Sequence, residues 1–248
     1  MRNGVASSSV GDASASWRPD KRHSSRAIAV ARSAVVDPKA LDDLRAYYAV
    51  QSNFAGATFT ELKPNHPYVL GVADLLAVTT LSVDIPPPAI RRLLSAETAE
   101  RIASLLQDLG PDLELSTIEA PVVAPLMANL YELIKRELRR HGAETSNAWV
   151  TASKICARKR PRLYPVRDSV VVTDLGLTGF YAEDWPVFAD ILNDATVMEK
   201  LQSLVAHANT AEAELGDEAL LLKHLDTVLW MRGQRLRRQR RASVAQPG

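Results

Sequence analysis

One acidic residue stands at the end of the most basic stretch of the sequence. Asp168 follows a run that contains Lys154, Arg158, Lys159, Arg160, Arg162 and Arg167. A carboxylate beside a sugar that is losing its base stabilises the developing positive charge and can activate a water. The cations would hold phosphates around it. The pattern is therefore compatible with chemistry on a nucleotide, with Asp168 as the candidate catalytic carboxylate.

The charges are distributed unevenly along the chain. Residues 135–167 contain ten Lys and Arg against two acidic residues, whereas residues 168–231 contain two against twelve. This local excess predicts a phosphate-binding surface, to which Arg139 and Arg140 at the end of the preceding helix would add. The six arginines of residues 232–241 form a second basic segment, whose role the sequence leaves open.

Each of these features also has a purely structural interpretation. An aspartate after a proline-containing loop is a typical helix N-cap, so Asp168 could simply begin a helix over residues 169–175. Basic residues at a helix C-terminus suit the helix dipole, and a basic loop could instead recognise an acidic protein. Asp74 lies in an apolar helix and needs a partner if it is buried, which Arg158 or Arg160 could provide.

The surrounding elements are predicted to be helices. Helical periodicity recurs from Pro38 to Arg240 and indicates an all-α multi-helix bundle with at most a minor β element. The predicted helices include one that begins at Asp37-Pro38, an apolar helix over residues 72–83, one from Pro121 to about Arg140, one from Ala148 to about Arg158, and a last one from Asp217 to about Arg240. Residues 57–62 alternate in polarity and predict a short strand.

Composition limits the domain organisation and the class of protein. Residues 1–26 are rich in Ser, Ala and Gly and predict a disordered tail, followed by a single α-helical domain over residues 27–231 and a basic C-terminal extension over residues 232–248. The single cysteine, Cys156, excludes an internal disulfide and a multi-cysteine metal site. We expect no metal, no cofactor, no membrane partner and a reducing, cytoplasmic location.

Two short motifs add a resemblance to known families. Thr151-Ala152-Ser153 and the run Tyr-Pro-Val-Arg-Asp that ends at Asp168 resemble two landmarks of the helix-hairpin-helix DNA glycosylases, over residues 142–172. This resemblance implies a fold of that kind, DNA rather than RNA as the partner, and Asp168 as the catalytic residue. The run from Ala157 to Val166 also resembles an uncharacterised actinobacterial family, from about Asp74 to Arg232, which implies no activity.

The sequence departs from the glycosylase pattern at the hairpin and at the lyase position. Ser146 and Ala148 stand where that family has glycines, and Val150 stands where its lyase lysine would be. Valine cannot form a Schiff base, so the resemblance implies a monofunctional enzyme, and Lys154, one helical turn further on, is the other candidate amine. The sequence predicts a nucleic-acid-binding protein with a glycosylase-like site at Asp168. The alternatives are a non-catalytic binding module and a protein–protein interaction module.

Overall fold

The protein is built from helices. The structure is a computed structural model that describes residue 17, residues 21–139 and residues 148–244. In order, the helices are α1 (Lys21–Val35), α2 (Ala40–Tyr48), α3 (Thr58–Glu61), α4 (Val72–Thr79), α5 (Pro87–Leu93), α6 (Ala96–Asp108), α7 (Ala120–Glu137), α8 (Trp149–Lys159), α9 (Ser169–Leu175), α10 (Tyr181–Leu192), α11 (Ala195–Ala208) and α12 (Leu221–Val244). Over these residues the predicted all-α bundle is confirmed, since isolated bridges from Ala213 to Ala49 and Thr210 are the only β pairing.

Helix α8 is buried along its length. It packs against α7 on one side and α4 on the other. Ala152, Ile155 and Cys156 are fully buried, and so are Arg158 and Lys159 near its end. Because α8 is enclosed by its neighbours, the basic residues that follow its apolar stripe enter the interior instead of the surface.

Helix α12 is the longest element and contacts α1, α2, α9 and α11. Its apolar face buries Leu225 and Leu229 completely. Gly233 allows α12 to approach α9 closely, because a Cβ atom at this position would lie 2.5 Å from Cγ1 of Val170. Real Cβ atoms do not approach that closely, and the branched valine side chain has little freedom to move aside.

Helix α1 was not predicted from the sequence. It begins at Lys21, within the segment expected to be a disordered tail, and residues 1–16 and 18–20 lie outside the described residues. Ala27, Ala31 and Ala34 recur at helical spacing, are fully buried, and face α10, α11 and α12. Alanine side chains are small, so the contrast in hydrophobicity along this segment is weak. The helix nevertheless completes the bundle.

Several other boundaries differ from the predictions. The strand expected over residues 57–62 is wrong, because Thr58–Glu61 form the short helix α3. Residues 169–175 are helical, as favoured from the sequence. Helix α7 ends at Glu137, and the predicted hairpin around Ser146 lies outside the described residues. Helix α12 runs on through the expected domain boundary at Arg232 to Val244.

Candidate functional site

The basic stretch that follows α8 is used inside the fold. Arg158 Nε lies 2.9 Å from Asp74 Oδ1, and Lys159 Nζ lies 3.0 Å from Asp74 Oδ2. Arg158 also donates to the backbone oxygens of Phe59 and Leu62. The predicted pairing of buried Asp74 with Arg158 is therefore confirmed. This buried ion pair ties α8 to α4 and to the loop that follows α3.

Arg160 and Arg167 are also structural. The Arg160 side chain is 1% exposed and donates to the carbonyl oxygens of Leu106 and Leu109. The Arg167 side chain is 0% exposed, and its Nη2 lies 2.6 Å from Asp184 Oδ2. A guanidinium with its donors committed to carbonyl and carboxylate oxygens has none left for a phosphate.

The predicted phosphate-binding surface is corrected by these contacts. Arg158, Lys159, Arg160 and Arg167 lie inside the protein because their partners come from distant parts of the chain. Lys154 is also buried, although it faces a cavity. Arg162 is partly exposed and pairs with Glu114 at 2.9 Å and Asp217 at 3.4 Å.

The two residues predicted at the end of the preceding helix stay untested as phosphate contacts. Arg139 is exposed just after α7, and its carbonyl oxygen accepts a hydrogen bond from Arg92. Arg140 lies outside the described residues. Among the predicted residues that the structure describes, Lys154 and Asp168 are the two that meet at a cavity.

That space is a cavity of about 350 Å³ between α12, the start of α9 and the middle of α8. Its lining includes both predicted catalytic candidates, Asp168 and Lys154. Aromatic rings form part of its wall, and a second set of charged residues, which come from α12, lies beside them. A volume of this size can hold a nucleoside-sized molecule.

Asp168 acts as the N-cap of α9 and also faces the cavity. Its Oδ1 accepts a hydrogen bond from the Val170 N–H at 2.9 Å, so the capping interpretation is confirmed. Its Oδ2 lies 3.4 Å from Lys154 Nζ, and the side chain is 20% exposed. A capping aspartate uses one oxygen for the helix and leaves the other directed toward a neighbour.

Lys154 is held on the cavity wall by two acceptors. Its Nζ donates to the Leu81 carbonyl oxygen at 2.8 Å and to Asp168. Burial lowers the pKa of Lys154, and the carboxylate of Asp168 opposes that change. A partly desolvated ammonium beside a carboxylate forms a compact charged pair that a polar ligand can contact.

Two charged residues of α12 were missed in the sequence and lie in the same cavity. Asp226 Oδ2 accepts from the Val166 N–H at 2.6 Å, while its Oδ1 is buried with no hydrogen-bond partner in the described structure. Burial raises the pKa of Asp226 to about 8, which the Val166 N–H and Lys223 oppose. Lys223 is 5% exposed and donates to Thr227 Oγ1 at 3.0 Å.

Their position along α12 gave a signal that could have been used. Lys223, Asp226 and Thr227 lie at helical spacing in a leucine-rich segment that also contains His224. Polar residues among leucines on a buried helix require partners inside the protein. Here those partners are few, which directs attention to the cavity.

Aromatic side chains form the neighbouring wall. The rings of Tyr47 and Phe54 are stacked with centroids 5.6 Å apart. Trp230 meets both edge-on, at 6.1 Å from Tyr47 and 5.7 Å from Phe54. Lys223 Nζ lies 4.8 Å from the centre of the Tyr47 ring. Flat rings beside hydrogen-bonding groups are typical of sites that hold a planar heterocycle.

The mouth of the cavity is basic. Arg237 and Gln234 line it, and Arg237 Nη2 donates to the Ser169 carbonyl oxygen at 3.2 Å. Arg238, Arg240 and Arg241 are exposed on the following turns of α12, with no ion pair to any residue the structure describes. By contrast, Arg232 and Arg235 pair with Asp37, Asp43 and Asp174. The exposed arginines begin where the paired ones end.

The other candidates have structural roles. Cys156 is fully buried, and burial raises its pKa well above the usual range of a thiol, so it is not a nucleophile. Within residues 21–139 and 148–244, no group of three His, Cys, Asp or Glu side chains could hold a metal ion. Over the same residues, every helix is too short or too polar to cross a membrane.

Comparison with other proteins identifies a family and no activity. No curated protein and no solved structure matches the sequence. The profile of a family of unknown function, DUF6308, matches residues 40–233. The matched range includes Lys154, Asp168 and the cavity-lining residues of α12 from Lys223 to Trp230. That match is consistent with the uncharacterised family that the run from Ala157 to Val166 resembles. The chain belongs to this family of unknown function, DUF6308.

Proposed function

We propose that this protein binds nucleic acid and holds one nucleotide in the α12 cavity, where Asp168 is the carboxylate of a DNA-glycosylase-like site. The carrying observation is that Asp168 and Lys154, 3.4 Å apart, line a cavity that has aromatic rings on its wall. An extruded base needs stacking partners, and the sugar attached to it needs a carboxylate. The cavity supplies both groups.

The chemistry assigned to Asp168 is electrostatic support and proton abstraction. As the bond from base to sugar breaks, positive charge develops on the sugar, and the Asp168 carboxylate stabilises it. The base leaves with the electron pair of the broken bond and takes up a proton from solvent, while the same carboxylate accepts a proton from the water that attacks the sugar carbon. Val150 stands at the lyase position of the resembling family, so we predict base release without strand cleavage.

The phosphate contact is assigned to the C-terminal turns of α12. Arg238, Arg240 and Arg241 are exposed on the same helix that lines the cavity, and Arg237 lies at its mouth. Arginine presents several donors that match a phosphate group. These residues replace the buried cluster at Arg158–Arg160 as the proposed nucleic-acid contact. The reducing cytoplasm stays our predicted location.

A base-release assay tests the catalytic part. Duplexes that carry damaged or modified bases are incubated with the protein and then with alkali, which cuts at abasic sites. Asp168→Asn retains an N-cap and removes the charge, so it should abolish base release while the fold is kept. Equal release by Asp168→Asn would remove Asp168 from the mechanism. Strand cleavage without alkali would contradict the monofunctional prediction and implicate Lys154.

A salt titration tests the nucleic-acid part. Each phosphate contact adds about 0.9 to the slope of log affinity against log salt for duplex DNA. Replacing Arg238, Arg240 and Arg241 by Ala should therefore lower that slope by about three. The double variant Arg91→Ala/Arg101→Ala, on exposed positions of α5 and α6, is the matched control and should leave the slope unchanged. Equal slopes for the triple variant and the native protein would remove these arginines from the interface.

A non-catalytic binding module is the second candidate. Both carboxylate oxygens of Asp168 already have partners, one in the Val170 N–H and the other in Lys154. Binding of DNA with steep salt dependence, together with no base release from any substrate, would favour this module. If there is no binding to DNA at all, the remaining alternative is a protein–protein interaction module.

A further inference from the structure

We infer that the α12 wall of the cavity recognises a lactam edge, that is, a ring carbonyl next to a ring N–H, through Lys223 and Asp226. The inference deepens the proposed function by naming the class of base, and it rests on that cavity being a ligand site. Guanine, uracil and thymine carry such an edge, whereas adenine and cytosine do not present a ring N–H beside a carbonyl.

The first observation is an unsatisfied acceptor. Asp226 is 3% exposed and lines the cavity, and its Oδ1 has no hydrogen-bond partner within the described chain. Its other oxygen is fixed by the Val166 N–H. Buried polar atoms are nearly always paired in folded proteins, and an unpaired one is costly. A ligand N–H that enters the cavity would pair this oxygen.

The second observation is a buried cation with only neutral partners. Lys223 Nζ donates to Thr227 Oγ1 and, at 3.4 Å, to the Tyr47 hydroxyl. No carboxylate of residues 21–139 or 148–244 lies within ion-pair distance of it. Because an ammonium has three donors, the remaining one is free for a carbonyl oxygen of the ligand.

The third observation is the spacing of the two groups. Lys223 and Asp226 are three residues apart on α12, which places their Cβ atoms about 5–6 Å from each other on one face. Both side chains line the same cavity, so one ligand ring can meet a donor and an acceptor there. Trp230, one further turn along α12, and Phe54 provide flat surfaces beside them.

The charges of Lys223 and Asp226 favour a lactam edge over an amidine edge, in which a ring nitrogen stands next to a carbon that carries an amino group. An ammonium is attracted most strongly to an oxygen that carries a large partial negative charge, which a lactam carbonyl has and a ring nitrogen has to a smaller degree. Asp226 accepts the acidic lactam N–H in its ionised form, and this hydrogen bond, with Lys223 nearby, favours that form over the protonated one that burial promotes. The aminopyrimidine edges of adenine and cytosine supply neither combination.

Binding of free nucleosides tests this assignment without any base release. Uridine and guanosine are titrated into the full-length protein and compared with 3-methyluridine and 1-methylguanosine, in which the ring N–H is replaced by a methyl group. At least one lactam nucleoside should bind, and its N-methyl partner should bind about tenfold more weakly or worse. Adenosine and cytidine should be as weak as the N-methyl compounds.

Variants locate the recognition on α12. Asp226→Leu and Lys223→Met, which leave no acceptor and no donor at these positions, should each weaken binding of the preferred lactam nucleoside by about tenfold. The matched controls are Asp42→Leu and Lys200→Met, at exposed positions away from the cavity, and these should bind as the native protein does. The N-methyl comparison uses the native chain, so it remains valid even where a variant fails to fold.

The outcomes separate this inference from the proposed function. Failure of both lactam nucleosides to bind, or equal binding of the N-methyl compounds or of adenosine, overturns the lactam assignment. Selective lactam binding by a protein that releases no base supports the assignment and contradicts only the catalytic role of Asp168. Base release that depends on Asp168 but is equal for all bases supports the catalytic role of Asp168 and contradicts the lactam assignment.

Discussion

Replacing Asp74 by Asn would remove the negative charge that pairs with two buried cations, Arg158 and Lys159. Asp74 is 1% exposed, and Arg158 Nε and Lys159 Nζ lie 2.9 Å and 3.0 Å from its two oxygens. An asparagine can still accept the hydrogen bond that Asp74 takes from the Gly71 N–H at 3.0 Å, so the start of α4 is kept. The substitution removes the charge, and it also places an amide NH2 at one of the two positions where Asp74 accepts hydrogen bonds.

The expected loss of stability is large. Removing one partner of a buried ion pair typically costs about 3–5 kcal/mol, because the remaining charge stays buried without compensation. For a domain of this size, each kcal/mol lowers the melting temperature by about 2–4 °C, so the midpoint should fall by about 6–20 °C. Urea unfolding followed by circular dichroism at a helical wavelength measures the free energy directly.

An exposed ion pair provides the matched control. Glu114 is about half exposed and lies 2.9 Å from Arg162, so Glu114→Gln should cost less than about 1 kcal/mol. If Asp74→Asn also costs less than about 1 kcal/mol, the cations are not buried as described. The conclusion that the stretch from Arg158 to Arg160 is structural would then be wrong, and its role in binding phosphate would have to be reconsidered.

Three further predictions concern titratable groups. Burial lowers the pKa of His224 to about 4, so the folded state binds the proton less readily than the unfolded state does. The free energy of unfolding should therefore be about 2 kcal/mol lower at pH 5 than at pH 7. In urea unfolding experiments, His224→Gln should make that difference smaller. Burial raises the pKa of Asp226, so this group lowers the stability of the folded state at any pH above the ordinary carboxyl pKa. Asp226→Asn should therefore raise the free energy of unfolding at pH 7 by at least about 1 kcal/mol. A lower free energy of unfolding in this variant would contradict that explanation. Cys156 should resist iodoacetamide at pH 8 until urea unfolds the protein, and rapid labelling of the native chain would show that it is accessible.

The class of fold was accessible from the sequence because it depends on local periodicity. The apolar stripes of α7 and α12 and the Asp168 cap of α9 are properties of neighbouring residues, and each was predicted. Helix α1 was missed because its buried face consists of alanines, whose small side chains produce little contrast with the serines and arginines around them. A helix of this kind becomes recognisable only when the surfaces it covers are known.

The site was predicted in part, since Asp168 and Lys154 do meet at a cavity. The basic cluster was misinterpreted because the partners that hold it are far away in the chain. Asp74 is 84 residues from Arg158, and the Leu109 and Leu106 carbonyls that accept from Arg160 lie 51 and 54 residues from it. Charge composition cannot distinguish a solvated arginine from one that joins loops in the interior. Lys223 and Asp226 were not predicted as site residues, because the leucines of α12 dominate its amphipathic pattern.

The contact between Gly233 and Val170 has a consequence for how such a cavity can change. Val170 follows Asp168 closely on α9, and Gly233 lies on the helix that carries Lys223 and Asp226. Because Gly233 has no Cβ atom, α12 can lie close to α9, and this distance sets the width of the cavity between the two helices. A larger residue at position 233 would act as a wedge, because it would separate the walls while every ligand-facing side chain stayed the same. The size of the accepted molecule would then be determined by a residue that no ligand touches.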